Sequence, residues 1–195
     1  FTEKFEKENL SDCHFELFPL ETIEELPSLL RQHPNLEGLT VTIPYKENVM
    51  SFLDEIDDEA KEIGAVNCIC IRDGKLKGYN TDIFGFEKAL TAFINYEKLK
   101  SAGAKMPNTL ILGTGGAAKA VAYVLRKLEI PYTFVSRKRK LGRLVYAGLS
   151  HLVIVTIGLI INTTPLGTFP YSEICPDIPF EFLDRRHSVF DLVYN

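Results

Sequence analysis

The chain has 195 residues, 46% of them hydrophobic and 25% charged, with a formal net charge of -4. That is the balance of a globular chain able to bury a real core, as one large domain or two small ones. It excludes a general nucleic-acid or anionic-membrane binder, which needs an excess of base, and no apolar run reaches the roughly 20 residues that span a bilayer. The longest such run, Leu152 to Asn162, is interrupted by Thr156 and Gly158. No signal peptide is visible, and both ends, Phe1 and Asn195, read as cut.

In chain order, His14 to Leu20 reads as a short strand, and Glu21 to Gln32 as a helix with acids in its first turn. Leu39 to Ile43 is a β-branched run stopped by Pro44. Lys46 to Leu53 and Asp54 to Ile63 carry helical patterns. Ala65 to Ile71 is a strand, Asp73-Gly74 a turn, and Lys75 to Tyr79 its hairpin partner. Asp82 to Leu99 reads as one long amphipathic helix.

Ser101 to Asn108, with small residues, Gly and Pro, is the best boundary candidate. It divides the chain into 1–100 and 101–195. Beyond it, Thr109 to Leu112 is wholly apolar, as in a parallel sheet covered on both faces. A glycine-rich turn, a helix from Ala117 to Leu128 and a strand from Tyr132 to Val135 follow. Further strand-like runs lie within Leu152 to Ile161 and at Ser188 to Val193, while Lys140 to Tyr146 reads poorly as a helix. The four cysteines, Cys13, Cys68, Cys70 and Cys175, read as free buried thiols in a reducing compartment, and no group has metal-ligand spacing.

Gly113-Thr114-Gly115-Gly116-Ala117-Ala118 matches G-x-G-x-x-G/A between an apolar strand and a helix. Gly113 permits the tight turn, Gly115 lets the backbone approach a pyrophosphate, and Ala118 allows close helix–strand packing. Free N–H groups at the helix start, from Gly116 and Ala117 onward, then face the phosphates. An NAD site usually has an acid at the end of the second strand. Here the strand runs into Ser136-Arg137-Lys138-Arg139, which suits the 2′-phosphate of NADP, with Arg137 able to stack on adenine. A solvated basic connection is the plainer alternative.

Lys46 stands just past a strand ended by Pro44, and Asp82 stands at a helix start. Taken singly, they read more readily as a solvated lysine and an N-cap. Asn67, inside an apolar strand, needs hydrogen bonds if buried.

Taken together, six ordered stretches resemble the shikimate dehydrogenase family. They are Gly38 to Glu47 (GLTVTIPYKE), Gly64 to Asn67, Gly78 to Asp82 with Gly85-Phe86, Leu112 to Ala117, Ile161 to Gly167, and Val189 to Tyr194. The resemblance covers nearly the whole chain. It implies an α/β protein of two domains facing a cleft: an N-terminal substrate domain with a mainly parallel sheet, and a C-terminal Rossmann domain for NADP, C-terminally incomplete. It implies a cytoplasmic oxidoreductase, monomer or homodimer, without nucleic-acid or membrane partners. The reaction is reversible reduction of 3-dehydroshikimate to shikimate, a step towards chorismate and the aromatic amino acids.

By the same resemblance Lys46 and Asp82 form the catalytic pair, and Thr42 and Asn67 hold ring hydroxyls. Asn162, Thr163, Thr164, Val193 and Tyr194 line the nicotinamide side, with Tyr194 reaching the substrate. No metal is expected. The family's Ser-x-Ser loop, which grips the substrate carboxylate, and its C-terminal helix, which contributes a glutamine, are not within these residues. The rival readings are an NAD-preferring quinate/shikimate dehydrogenase, a non-catalytic metabolite sensor, and a dinucleotide module serving a partner chain. The basic run after Val135 argues against the first, retention of both Lys46 and Asp82 against the second, and the first hundred residues against the third.

Overall fold

Two stretches of the chain fold as separate compact units, Phe1–Leu36 and the chain from Glu37 onward, in a computed structural model that describes residues 1–170 and 172–193. In the first unit, α1 (Thr2–Lys7) carries a Lys7–Glu3 pair at 2.7 Å, and Phe1 stacks on Phe15 at 4.8 Å between ring centroids. The strand expected from His14 to Leu20 does not form. Phe15 and Leu17 of that stretch are both exposed, and Phe18 and Leu20 on the other face are only half-buried, so little apolar surface is covered there. The helix expected from Glu21 begins instead as a 3₁₀ turn, Ile23–Glu25, and continues as α2 (Leu26–Gln32) with Pro27 in its first turn. The Glu25 carboxylate accepts from the Thr22 N–H at 2.9 Å, satisfying a donor that a helix start leaves open.

In the second unit the first sheet is built from β1 (Gly38–Thr40), β2 (Glu55–Ile56), β3 (Cys68–Arg72) and β4 (Lys75–Tyr79), in the order β1-β3-β4-β2. Its pairings correct the expectation of a mainly parallel sheet: β1–β3 and β3–β4 are antiparallel and only β2–β4 is parallel. The Asp73-Gly74 turn, with both residues at positive φ, folds β4 directly back on β3, and a tight hairpin can only be antiparallel. The region expected to be helical from Lys46 is a 3₁₀ turn, Asn48–Phe52. The one expected from Asp54 is split into β2 and α3 (Asp58–Ile63). The Asp57 carboxylate caps α3 by accepting from the Glu59 N–H at 3.1 Å. The expected helix from Asp82 to Leu99 is two, α4 (Asp82–Phe93) and α5 (Tyr96–Ser101), parted at Asn95, which has φ 51°.

The second sheet holds β5 (Thr109–Leu112), β6 (Tyr132–Ser136), β7 (Arg143–Val145), β8 (Leu159–Asn162) and β9 (Ser188–Asp191). It is wholly parallel, in the order β7-β6-β5-β8-β9. That order reads 3-2-1-4-5 along the chain, the doubly wound arrangement, with its switch point between β5 and β8. The poorly readable stretch from Lys140 contains β7, three residues long and too short to show a period. A single turn of helix, α7 (His151–Ile154), precedes β8.

The long helix α6 (Gly116–Lys127) follows the glycine turn and packs on the sheet. Its buried face, including Ala118, Val121 and Leu125, meets Ile111, Leu159 and Ile161 of the sheet and Ile83, Phe86 and Leu90 of α4 in one cluster. A second cluster, with Leu110, Leu112, Val135 and Ile160, fills the other face. Strands covered on both sides explain the unbroken apolar runs. Ile160→Val, one methyl lost from a fully buried site, is expected to cost about 0.5–1.5 kcal/mol in urea unfolding, with an unchanged slope.

Among the described residues no helix is long and apolar enough to cross a membrane, and no cluster of metal-ligating side chains occurs. The four cysteines are free, as expected. Their expected burial is corrected: Cys13 and Cys175 are exposed and the other two half-buried, on the face of β3 opposite the buried Ile69. Burial, then the neighbouring Cys70, pushes the Cys68 thiol up, away from the reactive thiolate.

Candidate active site

Every strand of the second sheet ends at one cleft of about 1430 Å³, the site an open parallel sheet offers at the carboxyl ends of its strands. β5 delivers Gly113 to Ala117, β6 delivers Ser136 and Arg137, and β7 delivers Tyr146. β8 contributes Thr163 and Thr164, and β9 contributes Val193. The facing wall carries Thr42, Lys46 and Asp82.

The glycine turn has the geometry its composition suggested. Gly113 has φ 110°, and a β-carbon there would come within 2.7 Å of Thr163 Oγ1. Gly115 faces open space: nothing lies within 4 Å of an added β-carbon. It is the N-cap of α6, so the first free N–H groups of a twelve-residue helix open onto the cleft. This is a cradle that a side chain would fill and that a pyrophosphate fits.

Lys46 Nζ donates to Asp82 Oδ2 at 2.8 Å, with the lysine side chain 18% exposed. Neither role left open for these residues taken singly applies. Lys46 is not a solvated lysine, and the N-cap of α4 is Thr81, with Asp82 the first helical residue. The Asp82 N–H is held by Asn80 Oδ1 at 3.2 Å, and Asn80 Nδ2 is in turn anchored on the Ala65 carbonyl at 3.0 Å. Asn67, 7% exposed, lies behind the pair. Its Nδ2 donates to Asp82 Oδ1 at 2.6 Å and to Thr81 Oγ1 at 3.1 Å, while its Oδ1 accepts from the Thr81 N–H at 2.8 Å. Both oxygens of Asp82 are therefore fixed.

Lys46 adjoins the glycine turn directly. A β-carbon on Gly116 would stand 3.3 Å from Lys46 Cβ and 3.6 Å from Cδ. Along α6, Lys119, Tyr123, Arg126 and Lys127 share a face at helical spacing. They reach Glu47 at 2.6 Å, Glu59 at 3.1 Å, Glu62 at 2.9 Å and Glu87 at 2.8 Å. This polar seam holds the helix of the glycine turn against the segment that carries Lys46.

Of the residues singled out in the sequence, Thr42, Lys46, Asp82, Gly113, Gly115, Gly116, Ala117, Ser136, Arg137, Thr163, Thr164 and Val193 line the cleft. Ala118 is fully buried on the inner face of α6, Lys138 lies on the exposed connection, and Asn67 stands behind Thr81 and Asp82, which line the cleft. Ser136 Oγ donates to the Lys138 carbonyl at 2.6 Å, which shapes the basic loop. Tyr194 lies outside the described residues.

Asp191 had no role in the sequence reading. Its Oδ1 accepts from Asn162 Nδ2 at 3.0 Å and from the Val193 N–H at 2.8 Å, and Asn162 Oδ1 holds the Thr164 hydroxyl at 2.7 Å. One carboxylate thus sets both Thr164 and Val193. An acid inside the otherwise apolar run Val189-Phe190-Asp191-Leu192 was the available signal.

Comparison with known proteins places the chain in a family. A family model described as the shikimate dehydrogenase substrate binding domain matches residues 1–69. The shikimate dehydrogenase (NADP(+)) of Carboxydothermus hydrogenoformans is 36% identical over 201 residues, covering 94% of this chain and 69% of that protein. The chain belongs to the shikimate dehydrogenase family. Among solved structures, shikimate dehydrogenase 1 of Peptoclostridium difficile is 32% identical, with a TM-score of 0.77 over 100% of this chain and 70% of that one. The Thermus thermophilus enzyme, solved with NADP(H) and shikimate, is 29% identical, with a TM-score of 0.67 over 89% and 65%. The chain spans about 60% of the length of the curated shikimate dehydrogenases it matches first.

Proposed function

We propose that the intact protein reduces 3-dehydroshikimate to shikimate with NADPH, reversibly, with residues 1–100 as its substrate domain and 101–195 as its dinucleotide domain. The observation that carries this reading is the Lys46–Asp82 ion pair in the cleft of the glycine turn, with Gly116 against the lysine stem. The Thermus relative solved with NADP(H) and shikimate supports the choice of substrate and cofactor.

With its pyrophosphate held at the glycine turn and its nicotinamide beside Thr163, Thr164 and Val193, the dinucleotide would supply the hydride to the carbonyl carbon, or take it up in reverse. Reduction leaves negative charge on the former carbonyl oxygen. Lys46 Nζ hydrogen-bonds that oxygen, stabilises the charge as it grows, and passes it a proton, giving the alcohol. Asp82 holds the ammonium group in place, and Asn67 fixes the other carboxylate oxygen. Thr42, exposed at the mouth, and Asn67 hold ring hydroxyls, and Tyr194 reaches the substrate from the nicotinamide side. Thr163, Thr164 and Val193 form the wall beside the nicotinamide.

The 2′-phosphate is held by Arg137, with Ser136 and Lys138 shaping the loop. Arg137→Ala is expected to raise the KM for NADPH about tenfold or more and leave that for NADH nearly unchanged, measured with saturating 3-dehydroshikimate. Equal losses with both nucleotides would assign Arg137 to adenine stacking alone.

A further inference from the structure

We propose that Tyr146 is the aromatic wall of the adenine site, an assignment that rests on the NADP reading above. Strands β6 and β7 are parallel neighbours, with Ser136 opposite Val145. The next residues, Arg137 and Tyr146, leave the carboxyl edge side by side, about one strand spacing apart. Both line the cleft.

The sheet order decides which part of the dinucleotide they meet. The glycine turn lies above β5, with β6 and β7 to one side and β8 and β9 to the other. Pyrophosphate at the turn sends one nucleoside each way. Thr163, Thr164 and Val193 occupy the β8–β9 side, and Arg137 and Tyr146 the β6–β7 side. The connection 137–142 is short and carries no helix, so its cations and the tyrosine come together at one edge. Cations serve the phosphate. A flat, uncharged ring serves a base.

The ring is also held in place. Tyr146 packs against the cluster of Leu112, Val135 and Leu149 beneath the cleft, so little rotamer freedom is lost when a base stacks on it. Burial pushes the phenol above its usual pKa, with Arg137 pulling the other way, so the neutral form faces the cleft at physiological pH.

The test is calorimetric titration of the full-length protein with NADP⁺ and with 2′,5′-ADP, which keeps the adenosine and 2′-phosphate but lacks nicotinamide. Tyr146→Leu keeps the apolar packing and removes the ring. It is expected to weaken both ligands by the same factor, about tenfold, while Tyr146→Phe stays within about twofold of wild type. Turnover of 3-dehydroshikimate with reduced nicotinamide mononucleotide, which has no adenine, is expected to be equal in all three proteins. Unchanged 2′,5′-ADP affinity in Tyr146→Leu overturns the assignment alone. So does an equal loss with the mononucleotide, which marks a purely structural role. A wild type that does not bind 2′,5′-ADP overturns the NADP reading and this assignment with it.

Discussion

Lys46→Ala is expected to lower kcat for 3-dehydroshikimate reduction by about 10²–10⁴-fold, with the Kd for NADP⁺ within about twofold of wild type. The two effects separate because the proposed role of the lysine lies in its ammonium group, whereas the cradle for the nucleotide is backbone of the glycine turn, next to the lysine stem only at Gly116. The variant keeps its fold. Asp82 still accepts from Asn67 at 2.6 Å and still opens α4, where the helix dipole favours a negative charge. Its other oxygen lies at the cleft, where water can replace the ammonium group. The melting temperature is therefore expected to move little while turnover collapses. Lys46→Arg restores the charge but not the compact donor, and is expected to recover only a small part of kcat. Turnover near wild type in Lys46→Ala would remove the lysine from the chemistry.

Gly115→Val is expected to raise the Kd for NADP⁺ by about ten- to a hundredfold, with a loss of only about 1 kcal/mol in urea unfolding from the poorer N-cap. Nothing lies within 4 Å of an added β-carbon at Gly115, and its φ of -81° is open to any residue. The folded chain therefore has room for the β-carbon, and a ligand entering the cradle is what meets it. Gly113 is the contrast. There the backbone has φ 110° and a β-carbon would stand 2.7 Å from Thr163 Oγ1, so Gly113→Val strains the protein itself. A turn serving only helix packing would show the Gly113 effect and leave nucleotide affinity untouched at Gly115.

The dinucleotide half was more legible in the sequence than the half before it, for physical reasons. β5 and β8 are buried on both faces, and the code for that is a plain apolar run. The glycine turn needs particular residues at particular places, so it stands out even alone. The first half uses short elements whose limits depend on caps and turns. Asp57 starts α3 where the pattern suggested an unbroken helix, and Asn95 takes a left-handed conformation that ends α4 where apolar spacing continues. Helical periodicity ran through both breaks because it reports which face is buried and says nothing of where hydrogen bonding stops.

The site was legible in part. Lys46 and Asp82 are 36 residues apart, and no spacing rule joins them. Only the ordered set of motifs suggested a pair, and their 2.8 Å contact depends on how β1, β3 and α4 assemble. The partners of Asn67 were unreadable for the same reason: a buried amide takes the hydrogen bonds that the fold offers, and here those are to Thr81 and Asp82. Tyr146 escaped the sequence reading because its meaning comes from strand register, which a three-residue strand does not announce.

The decisive measurement is a steady-state assay of the full-length protein with shikimate and NADP⁺, set beside quinate and NAD⁺ as alternative partners. Reduction of NADP⁺ by shikimate, well above every other pairing and abolished by Lys46→Ala, is the expected result. No turnover with any pairing, or equal turnover in the Lys46→Ala protein, would contradict the placement of hydride and proton transfer between these two walls of the cleft.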